Sequence, residues 1–192
     1  GYKIEDGKAV EAPEGASLEY ELWIPGDGVG DHPSFMICTL AKEALAEIGI
    51  NLIVRDLTNS SELWTALEAG EVAMWAAAWN ATVDPDMYQI YYADVANDGK
   101  AAGGSNYMYK ITDAELDQMI LDARTSTDQT YRKAMYKACL DKVIDWAVEI
   151  PVYQRKNAII FSTERVNMDT VTPDITTFYG WMAEVEKIEL NK

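Results

Sequence analysis

A chain of 192 residues, 48 % hydrophobic and 25 % charged, carries enough apolar material for one domain, or one lobe with an extension, and is not disordered as a whole. Its net charge of −16 argues against a nucleic-acid partner, which needs clustered Lys and Arg for phosphate contacts, and against adsorption to an anionic membrane surface. A single histidine, His32, and two distant cysteines, Cys38 and Cys139, give no metal-ligand spacing and no Ser/His/Asp or Cys/His set.

The thiols read as buried and free, with a disulfide as the alternative. No run approaches the roughly 20 apolar residues of a membrane span. The chain opens on Gly1-Tyr2-Lys3, without an initiator Met or a signal peptide. It is therefore expected to be a mature or excised segment, with any export signal removed or upstream.

Residues 1–16 are polar and turn-rich and read as an arm or hairpin. Leu18, Tyr20, Leu22 and Ile24 alternate at period two, which predicts a strand. A loop follows over residues 25–31. Pro33 starts a helix to about Ile48, with Ile37, Leu40, Ala41, Ala44 and Ile48 as its apolar stripe and Gly49 at its end. A second strand is predicted from Ile50 to about Leu57. Asn59 with Glu62 reads as a capping box for a short helix that Gly70 closes.

Val72 to Trp79 (VAMWAAAW), apolar on both faces, predicts a third, central strand. This β-α-β-α-β order implies an open α/β sheet, in which ligands collect at the carboxyl ends of strands. Trp79 stands at such an end.

Asp84-Pro85 reads as an N-cap followed by a helix-starting proline. A Gly/Asn-rich loop spans residues 97–106. Thr112 with Glu115 predicts a capped helix through Ala123, and Asp128 caps a longer one to about Ala147. A strand is expected from about Ile150 to Phe161. Val185, Ile188 and Leu190 alternate imperfectly and suggest a terminal strand.

Several segments resemble those of the oligopeptide/dipeptide/nickel (family 5) extracytoplasmic solute-binding proteins of ABC transporters. AAAWNATVDPDMYQIYY resembles that family's run of small residues, Trp, short loop and Asp-Pro. GSNYMYKITDAELDQMI and DQTYRKAMYKACLDKVIDWAVEIPVYQRKN resemble its aromatic turn with acidic helix, and its Tyr helix with Pro-led strand. GYKIEDGK, LEYELWIPGDG and EIGINLIV resemble the start of its third structural region. The resemblance covers nearly the whole chain, in the order of four individually weak motifs, but only the carboxy-terminal part of such a protein.

What the resemblance implies is one lobe of a type II periplasmic-binding-protein fold, an α/β unit with an open mixed sheet flanked by helices. Residues 1–162 would form the carboxy-terminal ligand-binding lobe, and residues 163–192 an extension returning to the amino-terminal lobe.

The residues of a ligand site follow from the same reading. Trp79 offers an aromatic wall; the alternative is a core Trp, since Trp75 lies on the same strand face. Ala76, Ala77 and Ala78 would admit another backbone, or simply tight helix packing. Many peptide binders of the family have an Asp three residues after this Trp, gripping the peptide amino group. Here that position is Thr82, and the spacing to Asp84-Pro85 is one residue shorter, closer to the nickel-type arrangement. Asp84 is the nearest carboxylate, with helix capping as its other role. Asn80 and Asn106 are polar contacts or turn residues. Tyr88, Tyr91 and Tyr92 are expected to pack their short helix against the lobe. Arg155 occupies a position that is ligand-facing in the family and would clamp a carboxylate; a surface salt bridge is its alternative.

The expected function is therefore substrate binding without chemistry and without a cofactor. Its partners would be a peptide ligand, the amino-terminal lobe of the same protein and the permease subunits of an ABC importer. The location would be extracytoplasmic, with a lipid anchor supplied by a segment upstream. An oligosaccharide or metal chelate as ligand, or a stand-alone surface interaction domain, are the alternative readings. Asp84 and Asp86 as a glycosidase pair would lie two apart across a helix start and would not face one substrate.

Overall fold

The structure, a computed structural model, describes residues 1–192 except Ala81, Lys100, Ala102, Arg155, Asn157 and Thr177. It divides into two units, residues 1–79 with 105–111 and residues 80–104 with 112–192.

The first unit begins with a hairpin, β1 (Lys3–Glu5) and β2 (Lys8–Glu11), which pair antiparallel. Its main sheet holds β3 (Glu19–Ile24), β4 (Asn51–Asp56) and β5 (Met74–Trp75), all parallel, in the order β4-β3-β5. Helix α1 (Pro33–Glu47) connects β3 to β4, and α2 (Ser60–Glu68) connects β4 to β5. The caps are written in the sequence. His32 Nδ1 accepts from the Ser34 amide at 3.2 Å, which puts the lone histidine to use as the N-cap of α1. Asn59 caps α2 by accepting from the Ser61 amide at 3.1 Å. Gly49 adopts φ +86°, and a Cβ there would lie 2.4 Å from the Ala9 carbonyl oxygen, so only glycine fits the turn after α1. Leu57, Leu63, Ala66, Leu67 and Val72 form the core under α2, with Trp23, Trp64, Trp75 and Met108 packed against it.

The predicted third strand is corrected in both extent and place. Only Met74 and Trp75 pair with β3, opposite Leu22 and Trp23, and the Ala76 amide adds one bond to the Trp23 carbonyl. The Ile24 carbonyl faces the other neighbour and takes the Leu57 amide. The next residue along the chain to face this side is Pro25, which has no N–H to donate, and alanine has little strand preference of its own, so the alanines that follow meet no continuing ladder. β3, not β5, is the central strand.

In the second unit, α4 (Ala114–Thr125) and α5 (Gln129–Trp146) pack as a helical hairpin. Leu116, Ile120, Ala123, Tyr136, Cys139 and Val143 are buried along these two helices. A four-residue helix, α3 (Tyr88–Tyr91), precedes them and packs on α4. Cys38 in the first unit and Cys139 in the second are both buried and free. Burial pushes both thiols up from their ordinary pKa.

Three further sequence expectations change here. The cap of α4 is Asp113 and not Thr112. Asp113 Oδ1 accepts from the amides of Glu115 and Leu116, and Oδ2 takes the Lys142 ammonium at 2.9 Å. No strand forms among the described residues of 150–161, where Ile150, Val152 and Tyr153 are exposed. Pro151 lacks a ladder donor, and among the described residues the second unit holds no strand. The terminal strand reduces to one bridge, Val166 to Leu190, after a 3-10 turn over Trp181–Lys187. Asn191 ties the end down, its side-chain amide donating to the carbonyls of Thr163 and Val166. Among the described residues no helix is long and apolar enough to cross a membrane.

The Asp113 cap has a measurable pH signature. Hydrogen bonding to Lys142, then to the Leu116 amide, holds its carboxyl below the usual range. A depressed folded-state pKa contributes stability in full above the unfolded value of about 3.9, and this is lost as pH falls through the folded value. Asp113→Asn keeps a capping oxygen and removes the charge. It is expected to cost about 1 kcal/mol at pH 7 and progressively less as pH falls below about 4. Urea unfolding of both proteins across that range checks it; a difference independent of pH would contradict it.

Candidate functional site

The carboxyl ends of the parallel strands carry the chemistry in sheets of this kind. After β3 the chain turns through Pro25 to Asp31 around the side chain of Asp56, the last residue of β4. Asp56 Oδ1 accepts from the Asp27 amide at 3.1 Å and Oδ2 from the Gly30 amide at 3.0 Å. Asp27 Oδ1 in turn accepts from Val29 at 2.9 Å and Gly30 at 3.0 Å. These amide bonds, led by that from Val29, hold the Asp27 carboxyl below its ordinary pKa. A Cβ on Gly26 would lie 1.8 Å from Asp56 Oδ1, so this loop is built around its own carboxylates.

Four residues after β5 stands Trp79, 42 % exposed. Its indole N–H donates to the Tyr109 hydroxyl at 2.8 Å. The Tyr109 ring leans on Trp75 at 5.7 Å, and Trp75 meets Trp64 edge-on at 6.5 Å. Trp75 and Trp64 border the core, while Trp79 reaches the surface at the end of this aromatic chain. Of the two tryptophans of VAMWAAAW, Trp75 packs against the core and Trp79 is exposed. Tyr109, within YMYK, carries no local sequence signal that marks it as the partner of Trp79.

Asn106 is buried at 6 %, and its carbonyl accepts from the amides of Tyr109 and Lys110. It closes the turn that carries Tyr109.

In the second unit, Asn80, Thr82, Val83, Pro85 and Phe178 line a shallow depression of about 470 Å³, together with Asp84 and Asp86. The Thr82 hydroxyl donates to the Asp84 carbonyl at 2.7 Å, a local turn contact. Asp84 does not cap a helix, contrary to expectation. The α3 helix begins four residues later, behind Met87, and it is Asp86 that accepts from the Tyr88 amide at 3.0 Å. The Asp84 carboxylate goes instead to Arg132 on α5, whose Nη2 donates to both its oxygens at 2.8 Å. A guanidinium is a stronger partner for a carboxylate than the amides of a four-residue helix.

Arg132 is itself anchored. Its Nε donates to the Ala123 carbonyl at 3.1 Å, its guanidinium lies 5.5 Å from the Tyr136 ring centroid, and its side chain is only 14 % exposed. Hydrogen bonding to Asp84 is the main reason that its pKa is raised further. Asp86 is paired as well, with Arg124 Nε at 3.2 Å; Arg124 stacks over the Tyr88 ring at 4.2 Å. Tyr88 stacks on Tyr92, and the Tyr91 hydroxyl donates to Glu149. The expected carboxylate clamp, Arg155, lies outside the described residues.

A second groove, of about 510 Å³, lies in the terminal segment, walled by Ile159, Phe161, Met168, Val171 and Ile175. It is formed by turns rather than strand ends. Among the described residues no group of three or more His, Cys, Asp or Glu could hold a metal ion.

No protein-family model and no curated protein matches this sequence. Solved structures do match. The oligopeptide-binding protein AppA from Bacillus subtilis, in complex with a nonapeptide, superposes with a TM-score of 0.59 at 19 % identity, over 77 % of this chain and 28 % of that one. NikA from Brucella suis, in complex with Fe(III)-EDTA, gives 0.57 at 23 % identity, again over 77 % of this chain and 28 % of that one. The ABC transporter-associated periplasmic binding protein DppA from Helicobacter pylori, with the peptide STSA, gives 0.52 at 19 % identity, over 68 % and 24 %. The chain thus spans little more than a quarter of the length of the structures that it resembles. The shared feature is the fold, an α/β lobe of the type II periplasmic-binding architecture, in agreement with the resemblance carried by the sequence motifs.

Proposed function

We propose that this chain is the carboxy-terminal lobe of the substrate-binding component of an ABC importer, holding a peptide in a cleft closed by a second lobe and doing no chemistry on it. The observation that carries the reading is the lobe fold itself, shared with a protein whose structure holds a nonapeptide. An exposed tryptophan at the end of the strand run adds to it, because such lobes place ligands at strand ends.

In this reading Trp79 covers an apolar ligand side chain, Asn80 and Thr82 offer polar contacts, and Asp84 borders the ligand. Asn106 serves from within, by fixing the turn that presents Tyr109. Arg155 supplies a clamp for a ligand carboxylate. The partners are an amino-terminal lobe, to which residues 163–192 return, and permease subunits. The protein works outside the cytoplasm, anchored by lipid through an upstream segment. Nothing in the reading requires a catalyst or cofactor, and His32 is already engaged as a helix cap.

A metal chelate is the second reading, favoured by the likeness to a structure that holds Fe(III)-EDTA. A chelate brings its own ligands, so it needs no metal cluster in the lobe.

Native mass spectrometry of the full-length protein, purified without refolding, separates the two. A ladder of co-purified peptide masses is the expected result. A single chelate or sugar mass would overturn the peptide reading.

A further inference from the structure

We infer that the depression around Asp84 is charge-neutral and recognises an uncharged stretch of the ligand, so that a bound peptide's amino terminus is not read there. The inference rests on the peptide reading above and specifies its ligand class.

The lining contains two carboxylates, and each already faces a guanidinium. Asp84 is bridged through both oxygens by Arg132, and Asp86 is held by Arg124 and the Tyr88 amide. What remains of the lining is uncharged: Asn80, Thr82, Val83, Pro85 and Phe178. Val83 is 79 % exposed and Phe178 49 %, so two apolar groups stand open to a ligand.

An incoming ammonium would have two ways to use Asp84, and both are unfavourable. Displacing Arg132 would leave a guanidinium, 14 % exposed and tied to the Ala123 carbonyl, without its counter-charge. Binding the outer side of the intact pair would bring a second cation close to the first, and their repulsion cancels much of the attraction. Thr82 adds no negative charge: its hydroxyl donates to the Asp84 carbonyl and keeps only neutral lone pairs for a ligand. Neutral amides and apolar side chains meet neither obstacle. Arg132 is in these terms a specificity-determining residue that acts through Asp84 without touching the ligand.

The test offers a lysine-free hexapeptide library to the full-length protein, once with free amino termini and once Nα-acetylated, and reads the bound mass. Wild type is expected to retain the two forms equally, within about threefold. Asp84→Asn leaves the Arg132 guanidinium without its counter-charge and is expected to shift that ratio a few-fold toward the acetylated form. Arg132→Gln frees the Asp84 charge and is expected to shift the ratio about tenfold toward free termini, the scale of one charge-assisted hydrogen bond. A wild-type preference for free termini of tenfold or more, abolished by Asp84→Asn, would overturn the inference. If Arg132→Gln fails to fold, wild type compared with Asp84→Asn still decides. If neither form is retained while an oligosaccharide or Fe(III)-EDTA is, the peptide reading falls, and this inference with it.

Discussion

Asp117→Ala is expected to destabilise the lobe by about 3 kcal/mol, the largest effect of any single substitution proposed for its stability. Asp117 sits in the first turn of α4 and is 7 % exposed. One carboxylate oxygen accepts from the Ala93 amide and the other from the Val95 amide, both at 2.8 Å. Between them Asp94 adopts a left-handed conformation, φ 61°, which turns both amides toward the same side chain. Hydrogen bonds to a charged acceptor contribute about 1.5–3 kcal/mol each, and a buried donor left unpaired costs about 1–3 kcal/mol. Alanine would orphan the Ala93 amide, which belongs to a residue 1 % exposed, and would leave a void beneath the turn.

Asp117→Asn tests the mechanism. It offers one oxygen for two donors and sets its own NH₂ against the second N–H, so it should lose about half as much. Thermal unfolding checks both variants. For a chain of this length 3 kcal/mol corresponds to a fall in Tm of about 6–12 °C. An alanine variant within about 0.5 kcal/mol of wild type would show that the Ala93–Val95 turn does not depend on Asp117.

The contrast between Asp117 and Asp128 shows which parts of this molecule are legible in sequence. Asp128 caps α5 by accepting from the amides of Thr130 and Tyr131, two and three residues on. Such local geometry repeats wherever a helix starts, so spacing alone predicts it. The same holds for Asn59, for the period-two strand β3 and for the glycine after α1. Asp117 serves amides 24 and 22 residues upstream, and nothing in its surroundings marks it. In sequence it is one more acid on a helix.

The same distinction explains the candidate site. Trp79 and Asp84 could be singled out because they fall in one short motif. Their partners could not, because Tyr109 is 30 residues from Trp79 and Arg132 is 48 from Asp84. Asp-Pro is a helix-start signal, and a local signal is all that sequence offers, so Asp84 reads as a cap although its partner is Arg132. The third strand is shorter than its sequence predicts for a related reason. Apolar character on both faces fits a buried strand, but a ladder also needs a neighbour, and β3 runs out at Ile24. Asn106 resembles a loop contact in sequence, and only packing shows that it is buried.

The central claim is that the edge beginning at Trp79 faces a ligand, and Trp79→Ala in the full-length protein tests it most directly. The indole is 42 % exposed and makes one hydrogen bond, to Tyr109, so its loss should cost the fold less than about 1 kcal/mol. A ligand-covering aromatic carries far more of the binding energy, about 2 kcal/mol or more, which corresponds to roughly a thirtyfold loss of affinity. Tyr109→Phe keeps the indole but releases its N–H, and should cost only a few-fold in affinity, roughly one neutral hydrogen bond. On the peptide reading, the measurement is calorimetric titration of a hexapeptide library into the full-length protein, alongside thermal unfolding of each variant. Trp79→Ala is expected to weaken binding about thirtyfold with Tm within about 3 °C of wild type. Unchanged affinity in a folded Trp79→Ala protein would contradict it.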